Sequence, residues 1–244
     1  MNPIRTIVFT DLDDTLIQTK HKIPQGANFS LGATDQAGRA LSFFTQAQQR
    51  LLALFEHQKA LIIPVTGRDT KALNRVQYLF NDYAIVSHGA LVLKNNQLEP
   101  DWLKQINSDL AHWAPLLEQN NQQIQQIIQT HHLNARVRVV IDQQVPAYVS
   151  IKGEGRALAV IKQYNTLRKD FRIHENGRNH ALLPPYTSKK KAVQYLQEKL
   201  AINKNDLVIG LGDSLSDLPF MQACQFSMVP NTSQISRQLN NVSI

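Results

Sequence analysis

Three carboxylates crowd the end of an apolar run near the start of the chain. In the stretch FTDLDDTLIQTK, residues 9–20, Asp11, Asp13 and Asp14 come directly after the run Ile7-Val8-Phe9. Like charges this close repel one another, and each carboxylate is costly to take out of water. At the mouth of a buried strand, such a stretch is either ordinary turn chemistry or an acidic site that needs a cation.

Polar turns also follow three further apolar runs. These turns are Thr66-Gly67-Arg68, Ser87-His88-Gly89 and Gly212-Asp213-Ser214, with Asp217 close behind the last. Ligands of parallel α/β sheets bind at the edge where the strands end. If the strands are neighbours, the acidic side chains of the first and last turns converge on one spot, namely those of Asp11, Asp13, Asp213 and Asp217. Oxygen ligands without His or Cys suit Mg²⁺, so the pattern predicts a magnesium site.

The apolar runs and the segments between them predict the elements that position these turns. Strands are expected at residues 4–10, 60–68, 83–90 and 206–213, each apolar, short and ending in a polar turn. Helices are expected at residues 44–58, 69–80 and 189–200. This alternation indicates an α/β fold, a Rossmann-like doubly wound parallel sheet with helices on both faces. The polar stretch at residues 18–40 has no sustained period, and we expect a long loop there.

The middle of the chain has a different pattern, which predicts an inserted domain. Residues 91–98 alternate as a strand, and a glutamine-rich helix is expected at about 102–131. Two neighbouring strands (ARVRVVID and AYVSIKG), a helix at about 155–169 and a hairpin at Asn176-Gly177 follow. We therefore expect an α+β domain at residues 88–180, inserted into a core made of residues 1–87 and 181–244.

Three of the polar turns and a lysine-rich helix start resemble the motifs of the haloacid dehalogenase (HAD) superfamily. FTDLDDTL resembles motif one, VTGR motif two, Lys189 the lysine of motif three, and GLGDSLSD motif four. The inserted domain resembles the large α+β cap of the branch that includes Cof-like and sucrose-phosphate-phosphatase-like enzymes. The stretch from Ala181 to Asp217 is closest to the sucrose-phosphatase type, in its Leu-Leu-Pro run, its Lys-x-x-Ala helix start and its Gly-Asp-Ser.

This resemblance implies phosphoryl transfer through an aspartyl phosphate, with a role for each motif. Asp11 would be the nucleophile, and Asp13 would protonate the leaving oxygen and then deprotonate the water. The residues that would bind the phosphoryl oxygens are Thr66, Gly67 and Lys189. The ligands of Mg²⁺ would be Asp11, the Asp13 carbonyl, Asp213 and Asp217.

Some positions depart from the family pattern or have no catalytic role in it. Lys190 and Lys191 stand where relatives often have glycine after the motif-three lysine, so Lys190 remains an alternative to Lys189. Ser216 precedes the last Asp of motif four, where Asn is common. Asp14 is expected to be a turn or cap residue.

Substrate choice is expected to lie with the cap, which in the family closes over the site and excludes water. The candidate substrate contacts are His88, Arg178, His180 and Asn231, to which further basic residues can be added: Arg136, Arg138, Lys152, Arg172 and His174. A solvated surface is the competing interpretation for each of them. His88 is the strongest candidate because its turn follows a core strand.

The resemblance thus implies a magnesium-dependent phosphatase that hydrolyses a phosphate monoester of a sugar or a similar small metabolite. Two alternatives stay open at this point. One is a sugar phosphomutase of the same superfamily, and the other is a catalytically inactive HAD-fold module for binding or regulation. The identity of the sugar also stays open.

Composition narrows the class of protein. The net charge of +7, from 26 Lys and Arg against 19 Asp and Glu, is spread along the chain without the basic stripe that favours nucleic acid. No apolar stretch reaches the roughly 20 residues that span a bilayer, and the N-terminus lacks a signal peptide's apolar region. The single cysteine, Cys224, fits a reducing compartment. We expect a cytoplasmic monomer or small homo-oligomer whose partner is a small phosphorylated metabolite, with neither nucleic acid nor membrane.

Overall fold

The computed structural model describes residues 5–240 and contains two compact units. Its strands are β1 (Thr6–Thr10), β2 (Phe29–Thr34), β3 (Ala40–Thr45), β4 (Leu61–Pro64), β5 (Tyr83–Val86), β6 (Leu91–Lys94), β7 (Gln97–Leu98), β8 (Ala135–Asp142), β9 (Val145–Gly153), β10 (Arg172–Asn176), β11 (Asn179–Leu183), β12 (Leu207–Leu211) and β13 (Phe226–Met228). Its α-helices are α1 (Gln46–His57), α2 (Thr70–Leu73), α3 (Pro100–Thr130), α4 (Gly155–Tyr164), α5 (Lys189–Lys199), α6 (Leu218–Met221) and α7 (Gln234–Asn240). Within residues 5–240, no helix combines the length and the apolar character that a membrane span requires. One unit comprises the described residues up to Gln97 and from Lys189 onward, and the other comprises Leu98–Ser188.

A parallel sheet with the strand order β13-β12-β1-β4 forms the centre of the first unit. The inner strand β1 is fully buried, since its residues Ile7, Val8 and Phe9 are at most 1% exposed. A parallel bridge between Val65 and Ile85 continues the sheet toward β5, which pairs antiparallel with β6. The parallel sheet and its helices confirm the predicted α/β class. The strand predicted at residues 4–10 is observed as β1, while residue 4 lies outside the described residues.

The loop predicted at residues 18–40 is wrong for residues 29–40, which belong to the β2–β3 hairpin, while residues 18–28 contain neither a strand nor an α-helix. At the tip of the hairpin, the Asp35 carboxylate accepts the backbone N–H groups of Ala37 and Arg39 at 2.8 and 2.9 Å. Both strands also carry exposed apolar residues, which hides the alternation that marks a half-buried strand.

The helix predicted at residues 69–80 is too long, because α2 ends at Leu73. The chain beyond it pairs with β2 instead. The N–H of Gln77 donates to the carbonyl of Gly32 at 2.7 Å, and the N–H of Thr34 donates to the carbonyl of Arg75 at 3.2 Å. These bonds use the backbone groups that a longer helix would have paired within itself.

The second unit is an antiparallel sheet with the strand order β10-β11-β9-β8, packed against α3 and α4. Its core is an apolar cluster that joins both helices to one face of the sheet: Leu117, Ile124, Ile127, Val149, Ile151, Leu158, Ile161, Phe171 and Leu182. The predicted hairpin is present, with Gly177 at φ +55° between β10 and β11, a conformation that glycine adopts without strain. This unit begins and ends later than the insert predicted at residues 88–180.

Asp206 ties the start of the described chain to the entry of β12. Its carboxylate accepts the backbone N–H, Nε and Nη2 of Arg5 and two N–H groups of Asn203, at distances of 2.7–3.3 Å. The hydrogen bonds from Arg5, followed by those from Asn203, hold the pKa of the Asp206 carboxyl well below its usual range. The pair therefore contributes to stability through the charged form of Asp206.

We predict that Asp206→Asn lowers the free energy of unfolding at pH 7, because an amide cannot replace a carboxylate that accepts from Arg5 at both oxygens. Since the pKa is depressed in the folded state, this contribution is complete above the unfolded-state pKa of about 3.9 and is lost as the pH falls below it. Urea unfolding between pH 7 and pH 3 should show the variant and the parent protein converging at acid pH.

The matched control for this experiment is Glu154→Gln, which removes an exposed ion pair with Arg178. Exposed pairs contribute little to stability, so this variant should unfold like the parent protein. A stability loss in Asp206→Asn that stayed constant from pH 7 to pH 3 would contradict the role assigned to the charge.

Candidate active site

The polar turns meet at the carboxyl edge of the parallel sheet. Asp11 directly follows β1, and its N–H donates to the carbonyl of Leu211 at the end of β12 at 2.8 Å. On the other side of β1, β4 ends at Pro64. The N–H of Thr66 then donates to the carbonyl of Ile85 at 2.9 Å, which brings in the turn after β5. The strand ends that the sequence singles out are therefore neighbours.

Three carboxylates gather at this edge. Oxygen atoms of Asp11, Asp213 and Asp217 lie within 4.8 Å of one another. Burial raises the pKa of Asp11 well above its usual value, and the charges of Asp217 and Asp213 add to this effect while Lys189 opposes it. Burial, followed by the charges of Asp217 and Asp14, raises the pKa of Asp213 to about 7. Burial and the mutual repulsion of these carboxylates therefore both disfavour their charged forms.

Lys189, the first residue of α5, supplies a cation to this cluster. Its Nζ lies 2.7 Å from Oδ1 of Asp11 and 2.7 Å from Oδ1 of Asp217. Burial alone would lower the pKa of Lys189, but the charges of the two carboxylates outweigh it and raise that pKa. Lys190, the alternative for motif three, forms no ion pair in the described part of the chain.

Hydroxyl groups donate to two of the clustered carboxylates. Oδ2 of Asp217 accepts the backbone N–H of Ser214 at 3.1 Å and its hydroxyl at 2.8 Å. The hydroxyl of Thr15 lies 3.3 Å from Oδ2 of Asp11. Sequence reasoning did not place Ser214 in the site, and its only sequence signal is its position next to Asp213 in the motif-four turn.

Asp13 and Asp14 pair with basic side chains instead of joining the cluster. The Asp13 carboxylate, which is 51% exposed, accepts Nε and Nη2 of Arg68 at 2.8 and 2.7 Å. Asp14 adopts φ +65° in the turn and accepts Nζ of Lys22 at 2.5 Å. The expectation that four carboxylates converge is therefore corrected to three, because Arg68 takes up that of Asp13.

The motif-two turn is packed tightly against His88. Thr66 is buried, and its hydroxyl accepts the N–H of Arg68 at 3.1 Å. The N–H of His88 donates to the carbonyl of Thr66 at 2.9 Å. A β-carbon at Gly67 would lie 2.5–3.0 Å from three imidazole atoms of His88, so any side chain there would displace the ring. His88 is thus fixed beside the motif-two residues, as the position of its turn predicts.

Asn231 lies exposed in the turn between β13 and α7. Four residues further on, the N–H of Ile235 donates to the backbone carbonyl of Asp213 at 3.0 Å. The segment that carries Asn231 is therefore attached to the motif-four turn. A contact of Asn231 with substrate stays a prediction.

The candidate contacts in the second unit lie on both faces of its sheet and in the β10–β11 turn. Arg178 is exposed and forms an ion pair with Glu154 at 2.8 Å. His180 lies on the face of the sheet that α4 covers, and its partial burial lowers its pKa. Their contact with substrate also stays a prediction. The opposite face of the same sheet carries three exposed cationic side chains, those of Arg136, Arg138 and Lys152.

The sequence matches the family described as sucrose-6F-phosphate phosphohydrolase over residues 4–238. No curated protein sequence matches the chain significantly. The resemblance to sucrose phosphatases that the motifs indicate is thereby confirmed at the level of the family.

Solved structures share the fold. The sucrose-phosphatase from Synechocystis, in complex with sucrose and phosphate, is 18% identical, covers 98% of this chain and 97% of its own length, and has a TM-score of 0.58. The C-terminal domain of trehalose-6-phosphate phosphatase from C. albicans is 18% identical, with 90% and 73% covered and a TM-score of 0.58. A haloacid dehalogenase-like hydrolase from Bacteroides thetaiotaomicron is 11% identical, with 98% and 100% covered and a TM-score of 0.52. At these identities, the similarity shows the fold.

We predict that Gly67→Ala lowers the free energy of unfolding by about 1–3 kcal/mol, the usual cost of overpacking. The added methyl group would meet the imidazole of His88 at 2.5 Å. The double variant Gly67→Ala/His88→Ala removes the ring and should recover most of this loss relative to His88→Ala alone. Urea unfolding of the four proteins measures the coupling. Equal losses from Gly67→Ala with and without His88 would show that the ring is not what excludes a side chain.

Proposed function

The chain belongs to the sucrose-6F-phosphate phosphohydrolase family of the HAD superfamily, and from this premise we propose that it is a magnesium-dependent sugar phosphatase. Membership makes the protein a phosphoric monoester hydrolase. The proposal adds the metal, the aspartyl-phosphate intermediate and the substrate class, a phosphorylated sugar or similar small metabolite. The observation that carries it is the buried carboxylate of Asp11, held by Lys189 in a cluster of acids at the sheet edge.

In the first half-reaction, Asp11 attacks the phosphorus atom. A bond forms between Oδ of Asp11 and phosphorus while the bond from phosphorus to the sugar oxygen breaks in line with it. The leaving oxygen takes a proton from the carboxyl group of Asp13, two residues further along the turn. The products are the free sugar hydroxyl and an aspartyl phosphate on Asp11.

In the second half-reaction, water removes the phosphoryl group from Asp11. The water oxygen bonds to phosphorus, the bond from phosphorus to Oδ of Asp11 breaks, and the proton of the water goes to Asp13. Inorganic phosphate leaves, and both aspartates return to their starting states. Asp13 thus gives one proton and takes one proton in each cycle.

We assign the binding of the non-reacting phosphoryl oxygens to Lys189 and to the motif-two turn. The Lys189 ammonium already contacts Asp11, so a phosphoryl group on that carboxylate lies within its reach. The hydroxyl of Thr66 accepts from the N–H of Arg68 and keeps its own proton for donation to phosphate. Gly67 has no side chain to obstruct the approach of the phosphate. Such donors stabilise the charge that builds up in the transition state.

The donor set at the sheet edge fits a magnesium ion. Asp11 and Asp213 would hold it, with Asp217 helping directly or through water and the backbone carbonyl of Asp13 as a further oxygen ligand. Burial first, and then the charges of Asp217 and Asp14, raise the pKa of Asp213 to about 7, and a divalent cation beside it would favour its charged form. When bound, Mg²⁺ supplies positive charge that offsets the repulsion between the Asp11 carboxylate and an anionic phosphate.

We assign the choice of substrate to the α+β insert predicted at residues 88–180, most of which lies in the second unit. A sugar phosphate is supported by the family description and by the sucrose and trehalose-6-phosphate phosphatases that share the fold. The exposed cationic face of the sheet in this unit suits a polar or anionic ligand. Arg178 and His180 are weaker candidates, because Arg178 already pairs with Glu154 and His180 lies on the face of the sheet that α4 covers.

The direct test is phosphate release by the purified protein from a panel of sugar phosphates, with Mg²⁺ and with a chelator. We expect Mg²⁺-dependent release from at least one of them, falling by more than about 10³-fold in Asp11→Asn because the nucleophile is lost. Asp14→Asn is the matched control. It removes a neighbouring carboxylate that pairs with Lys22, and it should keep most of the activity.

Other outcomes of the screen would replace the proposal. Undiminished release by Asp11→Asn would show that another group attacks phosphorus. Conversion of a sugar phosphate to its isomer without release of phosphate would identify a phosphomutase. A protein that binds sugar phosphates and turns over none of them would be a binding module.

A further inference from the structure

The guanidinium of Arg68 holds the Asp13 carboxylate side-on. Nε lies 2.8 Å from Oδ2, and Nη2 lies 2.7 Å from Oδ1. Two parallel hydrogen bonds of this kind fix the plane of a carboxylate as well as its direction. The orientation of Asp13, which is itself half exposed, is therefore set by Arg68.

Arg68 is in turn fixed by the protein on several sides. Its side chain is only 10% exposed. Its backbone N–H donates to the hydroxyl of Thr66 at 3.1 Å, and its carbonyl accepts the N–H of Ser87 at 2.7 Å. Nη1 and Nη2 lie 3.5 Å from the carbonyl of Ala72 and the hydroxyl of Ser42, respectively. The buried guanidinium of Arg68, itself held by these contacts, thus fixes the more exposed carboxylate of Asp13.

The proposed function gives Asp13 two roles, as an acid toward the leaving oxygen and as a base toward water. The pair with Arg68 suits the second role. Arginine donates hydrogen bonds and accepts none, so it pairs best with Asp13 as a carboxylate. Each oxygen of that carboxylate keeps a second lone-pair site beside its bond to Arg68. Such a site can accept the proton of a water molecule, provided that the carboxylate is held at the right distance and angle.

We propose that Arg68 is a positioning residue for the second half-reaction, in which it holds Asp13 at the angle from which Asp13 deprotonates the attacking water. The inference rests on the proposed function. The water oxygen bonds to phosphorus, the bond from phosphorus to Asp11 breaks, and the proton passes to Asp13. Arg68 itself neither gains nor loses a proton.

The experiment separates the two half-reactions with 4-nitrophenyl phosphate in the presence of Mg²⁺. Nitrophenolate leaves without a proton donor, so the first half-reaction does not need Asp13 with this substrate. We expect Arg68→Met to slow the second half-reaction by about 10²-fold, the cost of misplacing a reacting group. The variant should then show a burst of one nitrophenolate per active site, an accumulating phosphoenzyme, and a joint fall of kcat and KM.

Three further variants define the role. Arg68→Lys keeps a cation with fewer donors and should restore part of the rate, and it carries the test if Arg68→Met does not fold. In an Asp13→Asn background, Arg68→Met should cause little additional loss, because Arg68 acts through Asp13. Arg39→Met removes an exposed Arg–Asp pair on the β2–β3 turn and should leave the phosphoenzyme level unchanged.

Two results would overturn the inference. A rise of KM in Arg68→Met without accumulation of phosphoenzyme would make Arg68 a phosphate contact. Losses from Arg68→Met and Asp13→Asn that simply add would show that Arg68 does not act through Asp13. If no variant forms a phosphoenzyme and Asp11→Asn stays active, the proposed function fails, and the inference fails with it.

Discussion

Burial of like charges is the constraint on which this site depends. Asp11 and Asp217 are nearly inaccessible to water, Asp213 lies beside them, and the Lys189 ammonium bridges the first two at 2.7 Å. An uncompensated buried carboxylate costs on the order of several kcal/mol, so the cluster is compatible with folding only because Lys189 and nearby hydroxyl groups donate to it. Burial, together with the charges of the neighbouring acids, still raises the pKa values of Asp11 and Asp213 above their usual range.

The sheet makes this arrangement possible because its buried strands leave the turns no freedom to separate. Asp11 is joined through its backbone to the end of β12, so the motif-one and motif-four carboxylates cannot move apart. Gly212 contributes at the same place, where a β-carbon would lie 2.6 Å from that of Asp217. The parallel pairing of β1 and β12 thus keeps the acids together despite their repulsion. Lys189, the first residue of α5, places a positive charge beside them.

The sequence allows the acids and their strands to be predicted, because each buried strand has a short apolar signal and the acidic turns directly follow such strands. One acidic turn alone would be ordinary turn chemistry, and it is the placement of several polar turns after successive strands that indicates a site. It does not reveal the pair between Asp13 and Arg68, since 55 positions separate the two residues and only folding brings their turns together. The β2–β3 hairpin is missed for a related reason. Its strands are held by pairing with each other and with residues 75–77, and they lack the one-sided burial that produces a periodic pattern.

In the proposed mechanism, Asp11 carries the phosphoryl group during turnover. The most direct measurement is acid quenching of the enzyme during turnover of a substrate with a labelled phosphoryl group, followed by mapping of the labelled peptide. We expect label on Asp11, directly after β1, and none in Asp11→Asn, as the proposed mechanism requires. Label on another residue, or release of phosphate without any labelled protein at the shortest times, would contradict it.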